Sequence, residues 1–138
     1  MVDKKDCLFC KIVKGDVSSL KVYEDDKITA FLDIAQINAG HTLVILKEHS
    51  DSFSELSDEA AAELMTSVKN LAPKIAKAVG ATGFNIGINN GRVAGQIIPH
   101  THVHVIPRFD KDGLKHWAGK KYEDKVMNAL AEKIKKAL

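Results

Sequence analysis

The chain has 138 residues, 45% of them hydrophobic and 28% charged, with a formal net charge of +2. That length suits a single domain, residues 1–138, with a real core, and the composition excludes a disordered chain. So small a net charge gives no global sign of nucleic acid or of a membrane surface, and neither is expected as a partner.

The charge is nonetheless uneven. Residues 111–138 hold eight Lys and four acidic residues, net +4, which leaves net −2 on the first 110. A basic tail of this kind reads as a solvated helix face or, alternatively, as a contact for an anionic ligand. The domain thus divides into a motif-bearing core, 1–110, and a C-terminal arm and helix, 111–138. The start of the chain, "MVDKKDCLFC", has no apolar stretch long enough for a signal peptide, and no later run approaches the roughly 20 apolar residues of a membrane span. A cytoplasmic protein is expected. Thiols stay reduced in that compartment, so Cys7 and Cys10 read as metal ligands or redox groups rather than a structural disulfide; plain burial as small apolar groups is the remaining reading.

In chain order, "LKVYEDDKITAFLDI" (20–34) predicts two strands around the polar turn Glu24 to Lys27, a hairpin. "HTLVIL" (41–46) predicts a third strand. Ser57 is a candidate N-cap, with Asp58 and Glu59 placed to favour the helix dipole. Leu64, Val68, Leu71, Ile75 and Val79 then recur at three- and four-residue steps, the stripe of a core-facing helix. Pro73 should kink or locally break that helix, and Gly80 and Gly83 should end it. "GFNIGIN" (83–89) alternates as a fourth strand, "NNGRVAGQ" (89–96) reads as a polar glycine-bearing loop, and residues 97–107 form a fifth strand. A lysine-rich helix over about 122–137 closes the chain. This order predicts an α+β domain, an antiparallel sheet with helices to one side.

The fifth strand contains "PHTHVHVIPR" (99–108), with His100, His102 and His104 at alternate positions. Residues two apart on a strand share a face, about 6.6 Å apart. The three imidazoles should therefore line one side while Val103 and Val105 pack behind. Such a row could be polar decoration, part of a catalytic zinc site, or a nucleophile with its orienter and charge stabiliser on an anionic substrate. Imidazole suits the last role, being largely neutral near pH 7, nucleophilic and a good leaving group.

"GQIIPHTHVHVIPR" (95–108) resembles the signature of the histidine-triad (HIT) family, alternating histidines and hydrophobic residues. "CLFCKIVKGDVSSLKVYEDD", "AFLDI" and "GHTLVILKEH" resemble its bacterial nucleoside-phosphoramidase branch, in order and at similar spacings. The resemblance implies a HIT-like fold: a five-stranded antiparallel sheet with one core-facing and one C-terminal helix. It implies a hydrolase or transferase acting at the α-phosphate of purine nucleotide derivatives, AMP-type ligands among them. His102 would attack phosphorus and carry the nucleotide, His104 would donate to phosphate oxygens, and His41 and His100 would support the cluster. Asn89, Gly95 and Gln96 would contact the phosphate and bridging atom, Asp33 the ribose, and Leu8, Phe9, Ile12 and Ile34 would wall the base pocket. A turn-forming Asp33, a capped His41 and core roles for the apolar four are the plain structural alternatives. Ile97 stands where the family often has Ser or Thr, which removes a phosphate donor; Leu46 replaces a common proline.

Cys7-x-x-Cys10 is half of a zinc site. The resemblance completes it with His49 and His100 as a closed, structural Zn2+ centre. It also implies a homodimer joined at sheet edges, with the arm around Trp117 reaching the partner. Two other readings stand beside the enzyme: a nucleotide-binding regulatory module with weak turnover, and a metal-dependent hydrolase.

Overall fold

The computed structural model describes residues 4–138. Five strands form one antiparallel sheet: β1 (Lys21–Glu24), β2 (Ile28–Leu32), β3 (Thr42–Leu46), β4 (Gly83–Gly87) and β5 (His102–Arg108), in the order β1-β2-β3-β5-β4. Three helices accompany it: α1 (Leu8–Lys14), α2 (Asp58–Ala78) and α3 (Asp124–Ala137). The α+β class and the five-stranded antiparallel sheet are as expected from the sequence.

The β1–β2 turn is built by Asp25, whose carboxylate accepts from the backbone of Lys27 and Ile28 at 2.9 and 2.8 Å. Strands β2 and β3 are apolar on both faces because both are covered. On one side Ile28, Ala30, Val44, Val103 and Val105 meet Leu64, Val68 and Ala72 of α2. On the other, Phe31, Leu43 and Ile45 meet Cys7, Phe9, Cys10 and Ile12 at α1. Full burial of each large aliphatic side chain contributes about 1.5–3 kcal/mol, so these two layers fix the sheet's register and with it the histidine row.

The Ser57 hydroxyl caps α2 by accepting from Ala60 N at 3.1 Å. The line of full burial runs Leu64, Val68, Ala72, Ala76, with Leu71 and Ile75 partly buried at its edge and Val79 exposed. The helix runs unbroken through Pro73 to Ala78. Pro73 sits on the exposed face, as does Lys69, whose carbonyl loses its helical donor and can turn to water instead. Gly80 ends the helix in the left-handed region, with Ala81 N returning to Ala76 O.

Two expectations need correction, and one helix was missed. The helices do not lie to one side of the sheet, because α1 covers the face opposite α2. The fifth strand begins at His102, not residue 97, and residues 98–100 form a bend in which His100 N bonds Ile98 O at 2.9 Å. His100 therefore precedes the strand rather than sharing it. Helix α1 was not foreseen: seven residues are too few for a periodic signal. Cys7 caps it, Gly15 closes it at φ 87°, and burial of Phe9, Cys10 and Ile12 holds it down.

After β5 the chain turns through Lys111, the one described non-glycine residue at positive φ. Arg108 grips Asp112 with two donors at 2.7 and 3.1 Å, and Asn38 donates to the same carboxylate at 2.9 Å. The guanidinium holds that carboxyl well below the usual range. This fork sets the direction in which the arm leaves the domain. No residue of α3 is buried.

Candidate functional site

Pairing of β3 with β5 sets Leu43 opposite His104 and Ile45 opposite His102. The two histidines lie on the face covered by α1, their ring centroids 5.0 Å apart, and the Phe9 ring meets His102 edge-on at 5.2 Å. Each buried imidazole has a partner that fixes its proton.

The His102 Nδ1 lies 2.6 Å from the His100 carbonyl oxygen. A carbonyl only accepts, so the proton is on Nδ1 and the Nε2 lone pair is free. Burial lowers the His102 pKa, which favours that free base. His41 Nδ1 accepts from the backbone amide of Ile37 at 3.2 Å, which favours the tautomer with the proton on Nε2, while the Ala35 backbone also bonds the ring and favours its protonated form. That Nε2 is 2.9 Å from His104 Nδ1 and 3.6 Å from an Asp33 oxygen. The shorter geometry makes His104 the acceptor, and neutral His104 then presents an N–H at Nε2. This atom is buried and has no hydrogen-bond partner within the protein. Burial, then the neighbouring His102 and His41, push the His104 pKa down to about 4, and burial lowers His41 as well. A buried donor left unpaired costs about 1–3 kcal/mol, which a ligand oxygen would recover.

A second cluster lies beside the first. Cys7, Cys10, His49 and His100 bring one ligand atom each within 4.8 Å of one another. Cys10 Sγ is 3.2 Å from His49 Nδ1, and His100 Nδ1 is 3.5 and 3.6 Å from the two sulfurs. Thiolate and imidazole ligands of one tetrahedral zinc stand about 3.5 Å apart, given the usual bond lengths. The far nitrogens are tied down: His49 Nε2 to Asp51 at 2.6 Å, and His100 Nε2 to the Leu46 carbonyl at 2.8 Å. Both Nδ1 lone pairs are thereby turned inward, as metal ligation requires. Burial and the adjacent Cys7 raise the Cys10 thiol to about 11, a setting that favours a compensating cation. The donor set fits Zn2+.

The other expected residues divide. Phe9 and Ile12 are buried against the sheet, Leu8 is half-exposed and Ile34 fully exposed. Asp33 Oδ1 accepts from Ala35 N at 2.8 Å in a turn, with Oδ2 near His41. Gly95 has φ 95°, a left-handed conformation that favours glycine, and it lies in van der Waals range of the Asn89 amide, which a Cβ would meet at 3.4 Å. The Gln96 amide is engaged within the protein, donating to Asp51 O and Ile98 O and accepting from Gly91 N. It braces the loop, and its neighbour Ile97 is 87% exposed. Asp51 was not foreseen, although an acid two residues beyond a metal-type histidine is a usable signal.

Residues 14–111 match the HIT domain, and the chain belongs to the HIT family. It is 43% identical over 130 residues to the adenosine 5′-monophosphoramidase of Schizosaccharomyces pombe, covering 93% of this chain and 95% of that one. A solved structure from Streptococcus mutans UA159 superposes with a TM-score of 0.91 at 45% identity, over 98% of this chain and 87% of that one. A zinc-bound histidine triad family protein from Mycobacterium smegmatis gives a TM-score of 0.77 at 32% identity, over 99% and 100%. Among the described residues no helix is long and apolar enough to cross a membrane.

Proposed function

We propose that this protein hydrolyses purine nucleotide derivatives at the α-phosphorus, nucleoside 5′-phosphoramidates first among them, through a nucleotidyl group carried on His102. The observation that carries the reading is the pairing of a free Nε2 lone pair on His102 with an unpartnered buried N–H on His104. One is a nucleophile and the other a donor for the oxygens on which negative charge grows. His102 Nε2 attacks phosphorus as the bond to the leaving nitrogen breaks, and that nitrogen takes a proton from solvent and departs as a neutral amine. Water then attacks the same phosphorus, its proton is lost to solvent or a neighbouring base, and the P–Nε2 bond breaks to release nucleoside monophosphate. Asp33, beside the cluster, is suited to the ribose hydroxyls; Phe9, Leu8, Ile12 and Ile34 are apolar surface for a base.

Zn2+ held by Cys7, Cys10, His49 and His100 would be structural, because four ligands leave no open position. His100 then links the centre to the nucleophile, since its carbonyl holds the His102 proton. Assembly as a homodimer is supported by the outer edge of β4 and by apolar groups left uncovered there and on the arm. These include Ile86, the almost wholly exposed Trp117, and the α3 stripe Val126, Met127, Leu130 and Ile134. Such groups call for cover by another surface.

A second reading, nucleotide binding with weak turnover, is favoured by the inward commitment of Gln96 and by Ile97, which offers no donor. Acid quench during a single turnover of labelled adenosine 5′-phosphoramidate separates the two. Labelled protein supports the enzyme, and tight binding with no labelled protein supports the regulatory module.

A further inference from the structure

The loop joining β2 to β3 carries Asp33 at one end and His41 at the other, and one side chain between them holds it. Gln36 spends its whole carboxamide on the backbone of that loop. Its Nε2 donates to Asp33 O at 2.5 Å and His41 O at 2.7 Å, while its Oε1 accepts from Gly40 N at 2.9 Å and His41 N at 3.0 Å. Gln36 is exposed, so packing does not explain the arrangement. The loop so folded sets the Ile37 amide on His41 Nδ1.

We propose that Gln36 is a positioning residue that fixes, through the Ile37 amide and His41, the tautomer of His104. The logic is a chain of single protons. With the Ile37 N–H on Nδ1, His41 must donate from Nε2 to His104 Nδ1, and His104 must offer its own N–H at Nε2. Release the loop and the Ile37 amide drifts. His41 can then carry its proton on Nδ1 and accept at Nε2, and His104 turns round with it. The atom left for a phosphate oxygen becomes a lone pair, which repels it. The Ile37 hydrogen bond thus biases His104 toward attracting the charge that grows in the reaction, against the Ala35 backbone contact that His41 also makes. This rests on the reading of His104 as a phosphate donor given above.

The test joins ring spectroscopy to kinetics. In full-length protein labelled with 15N-histidine, long-range proton–nitrogen spectra should show His41 and His104 protonated at Nε2 and bare at Nδ1. Gln36→Ala should move both rings toward a mixture of tautomers. It should also lower kcat on adenosine 5′-phosphoramidate by about 10–100-fold, the range expected when a supporting group slips, with AMP affinity within about threefold. Gln36→Glu keeps both acceptor contacts but sets a carboxylate oxygen against the Asp33 and His41 carbonyls, so it should disturb the rings and lower kcat at least as far as Gln36→Ala. Since Gln36 is exposed, both variants should fold, which their melting curves check. Unchanged ring signatures in Gln36→Ala, whatever the rate, would overturn the proposal. So would altered signatures with kcat within about twofold of wild type. If the wild-type protein forms the Nε2 tautomers yet turns over no phosphoramidate, the functional reading fails and the clasp is judged on the spectra alone.

Discussion

His102→Ala is the sharpest perturbation of the proposed chemistry, and the structure gives its size on two axes. His102 is 6% exposed, in edge contact with Phe9 and His104, and its Nδ1–H satisfies the His100 carbonyl. Truncation leaves that carbonyl short of a donor in a buried place, a loss of about 1–3 kcal/mol. A domain with some 5–15 kcal/mol of stability tolerates this, so the variant should fold. The effect on turnover should be far larger. Without the imidazole no nucleotidyl–protein bond can form, and the direct attack of water lacks an activated nucleophile. A hundredfold loss corresponds to about 2.7 kcal/mol of barrier, the least that removal of covalent catalysis should cost. Rapid acid quench with labelled adenosine 5′-phosphoramidate, alongside calorimetry with AMP, reads both quantities. The expected result is no labelled protein, turnover under about one hundredth of wild type, and AMP binding retained, because base and ribose are assigned to Asp33, Leu8, Phe9, Ile12 and Ile34 rather than to His102. Turnover above that level, or label still trapped on the variant, would refute the assignment of His102.

Purified protein should contain about one zinc per chain, and Cys7→Ser/Cys10→Ser should lose it together with thermal stability, at about 3–5 °C per kcal/mol lost. Full zinc occupancy in that double variant, read by elemental analysis, would remove the site. The pKa of His104 sits near 4 in the fold against 6.5 for the free side chain, so between these values the unfolded chain binds more protons and stability falls as the pH falls. Melting scans from pH 7 to pH 4 should therefore decline less steeply in His104→Asn than in wild type; equal slopes would contradict a buried neutral His104. Truncation after Asp110 removes the arm, α3 and the Asp112 half of the Arg108 fork. It should weaken the dimer in sedimentation and change leaving-group preference more than AMP affinity, whereas a monomeric full-length chain at micromolar concentration would refute the assembly.

The sheet, α2 and α3 were legible because their signals are local. Alternating apolar residues, the Ser57 cap and the Leu64 to Ile75 periodicity each lie within a few turns of chain. The donor set Cys7, Cys10, His49 and His100 was legible from residue type and from resemblance, and the structure gathers all four. What could not be read was anything set by groups far apart in sequence or by a single backbone contact. Helix α1 depends on burial against β2 and β3, the early end of β5 depends on Thr101 N bonding Ser50 O at 2.7 Å, and the tautomers depend on single carbonyls and amides. Pro73 misled for a related reason: its rule concerns a missing donor, and the cost of that depends on whether the orphaned carbonyl faces water.

The spacing of the triad follows from the same backbone accounting. His100, His102 and His104 are one residue type at one period, yet no two have the same partners. His100 stands before the strand, so its ring can turn to the sulfurs while its carbonyl remains beside His102. His102 opens the strand, where that carbonyl takes the proton of Nδ1 and leaves Nε2 bare. His104, one pleat on, lies within reach of His41 and so keeps its proton on Nε2 instead. Two neighbouring imidazoles are thereby held in opposite tautomers, a base beside a donor, without any charge on either. Shift the strand by one residue and the histidines would point into the α2 core with Val103 and Val105 in their place. The apolar residues alternating with the histidines matter as much as the imidazoles, because burial of Val103 and Val105 against α2 sets which face of the sheet His102 and His104 occupy, and only on that face do the His100 carbonyl and His41 reach their ring nitrogens.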